Sequence, residues 1–472
     1  MLTRRHLLGG AGLGLLAATA GCDAAPKAGR VHHVAPGGSD AAGTGSRDRP
    51  FATLPRAYAV AEAGDRIVLR GGTYGFRDAD AGWLLRGRGG RPGRPVVIEN
   101  QPGEEPVIDG SGIRPPPGRG NAWATPKTAG GFPLAFWDTP HVVLRGVTVR
   151  RGPIGGIHVN GRHDGFAVER CVTHDNGWFN DEHGVGLGLF GEGHGNVVRD
   201  CDSYGNGGGG PGATGGNADG FQIVLLESTG TVVAGNRAWR NGDDGFDFFV
   251  TSRRDDDRSA TGYVVDGNWS FENGCHPDGR LNPGGDGVGF KLGGRRPGSR
   301  ARHGGHLVTR CIAWGNKSTG FDDNGYNGGT EPHTVFNNTA FDNGGNTDRA
   351  LGAPGFAFVF SDNPLTRLCN NVAFATQDRN ALHVGAVIES HNARNLTPWN
   401  AFSPALDFDR SDFVTLDDAP MRAPRGRDGA LPASGFLRPG PASRLRGRGT
   451  AAGLPGHIAA TGAPDLGAFQ AV

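Results

Sequence analysis

Long apolar runs, paired cysteines and an excess of charge of either sign are all missing from this chain of 472 residues. A formal net charge of +1 leaves no broad basic field of the kind that holds nucleic acid, so no nucleic-acid partner is expected. An acidic ligand would have to be held by a local cluster. Six cysteines, one of them Cys22 near the start, leave five in the body of the chain, and an odd number argues against a disulfide framework. Lysine is scarcer still: among 48 basic residues only Lys27, Lys127, Lys291 and Lys317 are lysine. Arginine stands wherever charge alone was needed. Glycine and proline, by contrast, number 85 and 31, about a quarter of the chain, a level that signals disorder when no period is present. Here a period is present.

The first 22 residues, MLTRRHLLGGAGLGLLAATAGC, carry paired Arg4 and Arg5, a weakly apolar run and small residues before Cys22. They read as a twin-arginine export signal, and the run is too short and glycine-rich for an integral membrane span. The end TAGC also reads as a lipobox, with Thr19 where leucine is usual, in which Cys22 would be lipidated. A surface lipoprotein and a freely secreted protein both fit. The expected organisation is a signal over 1–22, a linker over 23–30 and a single domain over 31–472.

Internal repeats fill that domain. FAVERCVTHDNG (166–177), NVVRDCDSYGNG (196–207), TVVAGNRAWRNG (231–242), YVVDGNWSFENG (263–274), HLVTRCIAWGNK (306–317) and HTVFNNTAFDNG (333–344) align on a late asparagine. These asparagines, Asn176, Asn206, Asn241, Asn273, Asn316 and Asn343, are 30, 35, 32, 43 and 27 residues apart. Five residues earlier stands a second column, Cys171, Cys201, Asn236, Asn268, Cys311 and Asn338. Stacked coils produce such columns, because equivalent residues lie about 4.8 Å apart and side-chain amides can bond along the stack. Cys171 and Cys201 could therefore touch, in either oxidation state.

Each repeat also has a short strand that opens on glycine and an apolar residue: GLGLF from Gly186, GFQIV from Gly220, GFDFF from Gly245, GFKLG from Gly289, GFDDN from Gly320 and GFAFV from Gly355. Their period of two sets Phe221/Ile223, Phe246/Phe248 and Phe290/Leu292 on one face, and Gln222, Asp247 and Lys291 on the other. Short strands in repeats of this length, with no helix-period segments between them, indicate an all-β, parallel β-helix solenoid. A β-propeller would need antiparallel hairpins with tight turn signals, which are lacking. Leu54, Ala57, Ala59 and Ala61 fit a short helix that would cap the N-terminal end. The repeats are strongest over 140–400, and the Pro/Arg-rich segment 400–472 is expected to be a C-terminal cover. A monomer is expected.

Stacking gives a meaning to the stretch GDDGFDFF (242–249). Asp219 and Asp244 each precede a strand glycine in consecutive coils, Asp243 is adjacent, and Asp247 projects from the same strand. Four carboxylates on one surface spot repel one another unless a cation relieves them. A hard cation with oxygen ligands at about 2.3–2.6 Å does so, and Ca²⁺ fits a carboxylate-rich site of loose geometry better than magnesium. Turn aspartates without a metal are the plainer reading. Lys291 occupies the strand position of Asp247 one coil on. It would be either an ion-pair partner of Asp247 or, because lysine can lose its proton where arginine cannot, a general base.

The export signal, the PGGSD...GTGSRDRPFATLPRA opening, the NADGF, NGDDGFDFF and GFKLGG strands and the FLRPGPAS...PDLGAF ending together resemble the family-nine polysaccharide lyases, over nearly the whole mature chain. That resemblance implies a right-handed parallel β-helix and a calcium-dependent pectate lyase, with the metal on Asp219, Asp243, Asp244 and Asp247 and the base at Lys291. The chain departs from the family in the 44 residues from Gly245 to Gly289, an insertion that could rebuild the cleft wall. The implied chemistry is β-elimination on a uronate polymer: Lys291 removes the C5 proton and the C4–O bond breaks, with activity favoured at alkaline pH. Arg295, Arg296, Arg300 and Arg302, which follow the lysine strand, would bind neighbouring uronate carboxylates or form a solvated basic loop. Between late asparagine and strand glycine the connections are 10, 14, 4, 16, 4 and 12 residues, so long loops would wall the site.

The alternatives are a lyase of another uronic polymer such as rhamnogalacturonan, a pectin-degrading glycoside hydrolase using Asp243 and Asp244 with water, and a non-catalytic polysaccharide-binding surface protein. The hydrolase reading lacks a His-Gly-x-Ser-x-Gly stretch, since GHGNV at 193 does not supply one.

Overall fold

The computed structural model describes residues 29–77, 81–114, 125–179, 183–207, 215–250, 258–295, 298–324, 330–344, 355–358, 365–374, 382–384, 387–394, 406, 408–454 and 462–470. The leader with Arg4, Arg5 and Cys22, and also Arg296, lie outside these residues. Among the described residues short strands stack into sheets of twelve, eleven and ten members, with a fourth sheet of three strands. All of the pairings that define the repeats are parallel, for example Val168 opposite Val198 and Phe246 opposite Phe290. Each repeat contributes one strand to each large sheet, as Ala167–Glu169, Val172–His174 and Leu187–Glu192 do. This is a parallel β-helix, as the repeats require.

Inward positions build the core column by column. Phe221, Phe246, Phe290, Phe321 and Phe356 stack with ring centroids 4.7–4.8 Å apart. In the twelve-stranded sheet Val168, Val198, Val233, Val265, Val308, Val335 and Leu368 form a second, fully buried column. Identical apolar residues at one register pack without voids, so burial at about 25 cal/mol per Å² accumulates with every coil.

Two corners per coil need a left-handed residue. Arg170, Asp200, Gly235, Gly267 and Arg310 take φ of 51–65° at the first corner, and Asp175, Gly205, Arg240, Glu272 and Gly315 take 52–61° at the second. Non-glycine residues adopt that conformation at a penalty of about 1 kcal/mol, which the buried amides after each corner offset. Along the late-asparagine column each Nδ2 donates to the next Oδ1 at 2.9 Å, from Asn176 to Asn343. The second column does the same where it holds asparagines, as between Asn236 and Asn268 at 2.9 Å. Cys171 and Cys201 stack within it, the Cys171 N–H 3.4 Å from Cys201 Sγ, and both thiols are free.

A helix runs over Leu54–Val60, started by Thr53, whose side chain accepts from the Arg56 N–H, and it buries Leu54, Ala57 and Tyr58. Ala59 points to solvent, and Tyr58 joins Leu54 and Ala57 on the inner face instead. The helix packs in the core with Val34, Ile67 and Leu85, residues of the first strands. The C-terminal segment lies along a flank of the solenoid. Its Phe408, Phe413, Met421, Phe436 and Leu445 cover the outward-facing Trp269, Phe271, Trp314 and Phe374 of the eleven-stranded sheet. A buried latch holds it there: Arg237 grips Asp202 through two bonds of 2.9 and 2.7 Å, and Arg425 reaches the same carboxylate at 2.9 Å.

Candidate active site

The glycine that opens a repeat strand of the ten-stranded sheet lies on the asparagine ladder, as at Gly186, Gly220, Gly245 and Gly289. A Cβ at Gly220 would come within 2.7 Å of Asn241 Nδ2, and one at Gly245 within 2.0 Å of Ser270 Oγ and 2.8 Å of Asn273 Nδ2. Glycine at this point lets the chain pass directly from corner to strand, and the preceding residue, Asp219 or Asp244, falls at the same place in consecutive coils. Asp244 N–H donates to Asp219 Oδ1 at 3.0 Å.

Asp219, Asp243 and Asp244 meet, with one carboxylate oxygen from each lying within 4.8 Å of the others. Asp247 stands just outside this triangle. All four are buried, the most exposed of them at 5%, whereas the sequence placed them on the surface. The difference comes from the connection before Gly289, which folds over them and supplies backbone donors. Asp286 N–H bonds Asp243 Oδ1, and Val288 N–H bonds Asp244 Oδ1 at 2.7 Å. Asp247 Oδ1 accepts from the Phe249 N–H at 3.0 Å, and Gln222 stands opposite it in the strand register.

Lys291 sits opposite Asp247 in the strand register, yet its ion pair runs elsewhere. Nζ lies 3.1 Å from Asp244 Oδ2 and 3.8 Å from Asp286 Oδ2. The Asp247 carboxylate is engaged by the Phe249 N–H, and the ammonium pairs with Asp244 instead. Burial pulls Lys291 down, but Asp244, Asp247, Asp243 and Asp286 outweigh it and hold the amine well above its ordinary value. Burial first, and then their neighbouring carboxylates, raise Asp219 and Asp243 well above the usual carboxylate range. Asp244 is pushed up to about 7 by burial against the opposing pull of Lys291.

The donor set fits a hard divalent cation. Asp219, Asp243 and Asp244 each give Oδ1 to a backbone N–H. Asp219 Oδ2 is buried with no hydrogen-bond partner, a state that a native interior avoids unless something else fills it. Mutually close carboxylate oxygens without donors suit calcium or a similar oxygen-seeking ion.

The arginines after the lysine strand are spread out. Arg295 Nη1 donates to the Ala301 carbonyl at 2.9 Å, Arg302 pairs with Glu331, and Arg300 is exposed. Sequence reasoning missed Asp286, which is 49% exposed beside Lys291, and gave Gln222 no role. Gln222 could have been found from its register position opposite Asp247. Asp286 lies in irregular chain and had no such signal.

Coils of parallel strands with a buried carboxylate–lysine cluster beneath long connections place the molecule among the parallel β-helix polysaccharide lyases. The profile of the Pel9A-like, right handed β-helix region matches residues 32–353, and the chain belongs to that family. Pectate lyase L of Dickeya chrysanthemi is 30% identical over 446 residues, covering 93% of this chain and 90% of the relative. Pectate lyase PEL9 of Emericella nidulans is 28% identical over 415 residues, covering 86% and 92%. The crystal structure of pectate lyase Pel9A superposes with a TM-score of 0.70 at 27% identity, covering 94% of this chain and 96% of that one. A rhamnogalacturonan lyase shares the fold at a TM-score of 0.63 and 22% identity, covering 88% and 97%. Among the described residues no helix is long and apolar enough to cross a membrane.

Proposed function

We propose that the protein is a calcium-dependent lyase that cleaves demethylated polygalacturonate by β-elimination with Lys291 as the base. The observation that carries this reading is Lys291 Nζ at 3.1 Å from Asp244 Oδ2, at the edge of a buried carboxylate triangle. Asp219, Asp243 and Asp244, with Asp247 beside them, would hold the ion. Bound there, calcium would supply positive charge against both the protein carboxylates and the charge that builds on the uronate carboxylate.

The protein's own residues do the rest. Lys291 Nζ, neutral at alkaline pH once the field of its carboxylate neighbours is offset, takes the proton from C5. The electrons of that C–H bond form the C4–C5 double bond, the C4–O bond breaks, and the departing oxygen is protonated from solvent. No water is consumed, unlike in hydrolysis. Lys291 Nζ stays beside Asp244, at the edge of the cation site. Arg300, an exposed member of the basic segment, is proposed to meet a neighbouring uronate carboxylate, with Arg295 and Arg302 beside it.

The relatives named pectate lyases support the choice of polymer. The test is incubation with polygalacturonate, methylated pectin and rhamnogalacturonan, with calcium and with chelator, while following the unsaturated, ultraviolet-absorbing product. Saturated reducing ends alone would mean a hydrolase, and activity untouched by chelator would remove calcium from the reaction. We also propose twin-arginine export of a monomer with residues 31–472 as one domain. Replacing Arg4 and Arg5 by lysine should retain the protein inside the cell, and mass spectrometry of the exported form decides whether Cys22 is lipidated.

A further inference from the structure

Lys317 has no part in the chemistry above, yet it is built into the same neighbourhood. Its Nζ donates to three carbonyl oxygens, of Asn282 at 2.8 Å, Gly285 at 2.5 Å and Pro283 at 3.5 Å. All three belong to the connection between Asn273 and Gly289. The stem of Lys317 runs against two left-handed glycines of that connection. A Cβ at Gly274 or Gly287 would lie 2.5 or 2.6 Å from Lys317 Cβ, so neither position tolerates a side chain. The backbone adds a fourth tie, Ser318 N–H to the Gly287 carbonyl at 2.9 Å. On its other side Asn282 Nδ2 bonds the Gly242 carbonyl at 2.7 Å, next to Asp243.

The residues held in this way are those that grip the carboxylates. Asp286 and Gly287 N–H groups converge on Asp243 Oδ1, and Val288 N–H bonds Asp244 Oδ1. We propose that Lys317 is a positioning residue: by fixing the connection at three carbonyls it sets the amides that orient Asp243 and Asp244 toward their cation. An ammonium has three donors free to spread over three acceptors, whereas a guanidinium presents a planar fork. That difference accounts for a lysine here in a chain that mostly uses arginine.

The cation part of this inference rests on the proposed function, and the test separates the two. Lys317→Met keeps the stem against Gly274 and Gly287 and removes the donors. Calcium titration by calorimetry should show affinity weakened about tenfold or more, the scale of one charge-assisted hydrogen bond. In chelator, amide hydrogen exchange at Asp286, Gly287 and Val288 should quicken, while the ladder amides of Asn206 and Asn241 and the melting temperature stay near wild type. The milder Lys317→Gln serves if the methionine variant does not fold. Wild-type affinity together with wild-type exchange at 286–288 overturns the proposal. If the unmodified protein binds no calcium, the proposed function fails, and exchange alone decides the role of Lys317: faster supports it, unchanged sinks it.

Discussion

Two columns of buried polar side chains run through the same coils, a few residues apart, and differ in what each group can offer its neighbour. In the asparagine ladder every carboxamide both donates and accepts, so the column from Asn176 to Asn343 closes on itself at 2.9 Å per step. In the aspartate cluster every ionised carboxylate only accepts. Backbone amides satisfy one oxygen of Asp219, Asp243 and Asp244, and the remainder face one another and Lys291. The ladder is complete as soon as the chain folds. The cluster stays incomplete until something positive arrives, which is the property a binding site needs and a scaffold avoids.

The largest effect should come from Lys291, the cation already paired with the cluster. Lys291→Arg preserves charge beside Asp244 and roughly the reach, so a purely electrostatic role would survive it. A base would not, since guanidinium keeps its proton at any working pH. The variant should lose about 10²–10⁴-fold in kcat/KM, with melting temperature and calcium affinity close to wild type. Near-normal turnover would show that Lys291 belongs to the cluster only as a counter-ion.

Next in size are two substitutions of opposite sign. Asn241→Ala removes the acceptor for Asn206 and the donor to Asn273, leaving buried partners unpaired, and should destabilise by about 2–4 kcal/mol. Asp219→Asn makes the cluster resemble the ladder: its Oδ1 can still accept from Asp244 N–H, while a new N–H₂ faces the remaining carboxylates. In chelator this variant should melt higher than wild type by the equivalent of about 1–2 kcal/mol, and calcium should no longer stabilise it. Lower stability in chelator would mean that the cluster is not strained when metal-free.

The same contrast separates what is legible in the amino-acid sequence from what is not. The ladder is legible because one residue type returns at a fixed offset, and the inward Phe221, Phe246 and Phe290 because strands alternate. Asp219 and Asp244 are legible through the glycine after each, whose missing side chain the ladder requires. Burial of the cluster is not, since it depends on the irregular connection before Gly289, where Asp286 and the Lys317 tie have no period to reveal them. The side-on packing of Phe413 and Phe436 is likewise hidden. Outward aromatics such as Trp314 look solvent-facing until a distant segment covers them.

Acid and alkali should act on different regions. Burial holds His158 and His333 down to about 3, below the unfolded value of 6.5. A depressed histidine contributes stability that is present above pH 6.5 and lost as pH falls toward 3, so the calcium-loaded protein should melt progressively lower through that window. Asp244 behaves oppositely when metal-free: raised from 3.8 to about 7, it contributes stability present below pH 3.8 and lost as pH rises through 7. The stabilisation conferred by calcium should therefore grow from pH 5 to pH 8. Scanning calorimetry in calcium and in chelator checks both slopes, and a calcium increment independent of pH would detach the metal from these carboxylates.

The smallest expected effect tests the exposed edge of the cluster. Asp286 lies 3.8 Å from Lys291 Nζ and is 49% exposed, so solvent screens it and its influence is modest. It contributes to holding the Lys291 amine up, after Asp244, Asp247 and Asp243, and its negative charge opposes an anionic polymer. Asp286→Asn retains the backbone N–H that bonds Asp243, so the cation site itself is untouched. Both consequences of the lost charge act in one direction. The rising limb of the pH–rate profile should move to lower pH, and kcat/KM near neutrality should rise about one-and-a-half- to fivefold, the range of a single exposed charge pair. Added salt should shrink the gain, because screening already does part of what the substitution does. A fall in activity at unchanged calcium affinity would instead make Asp286 a participant, either gripping the substrate or relaying the proton from Lys291.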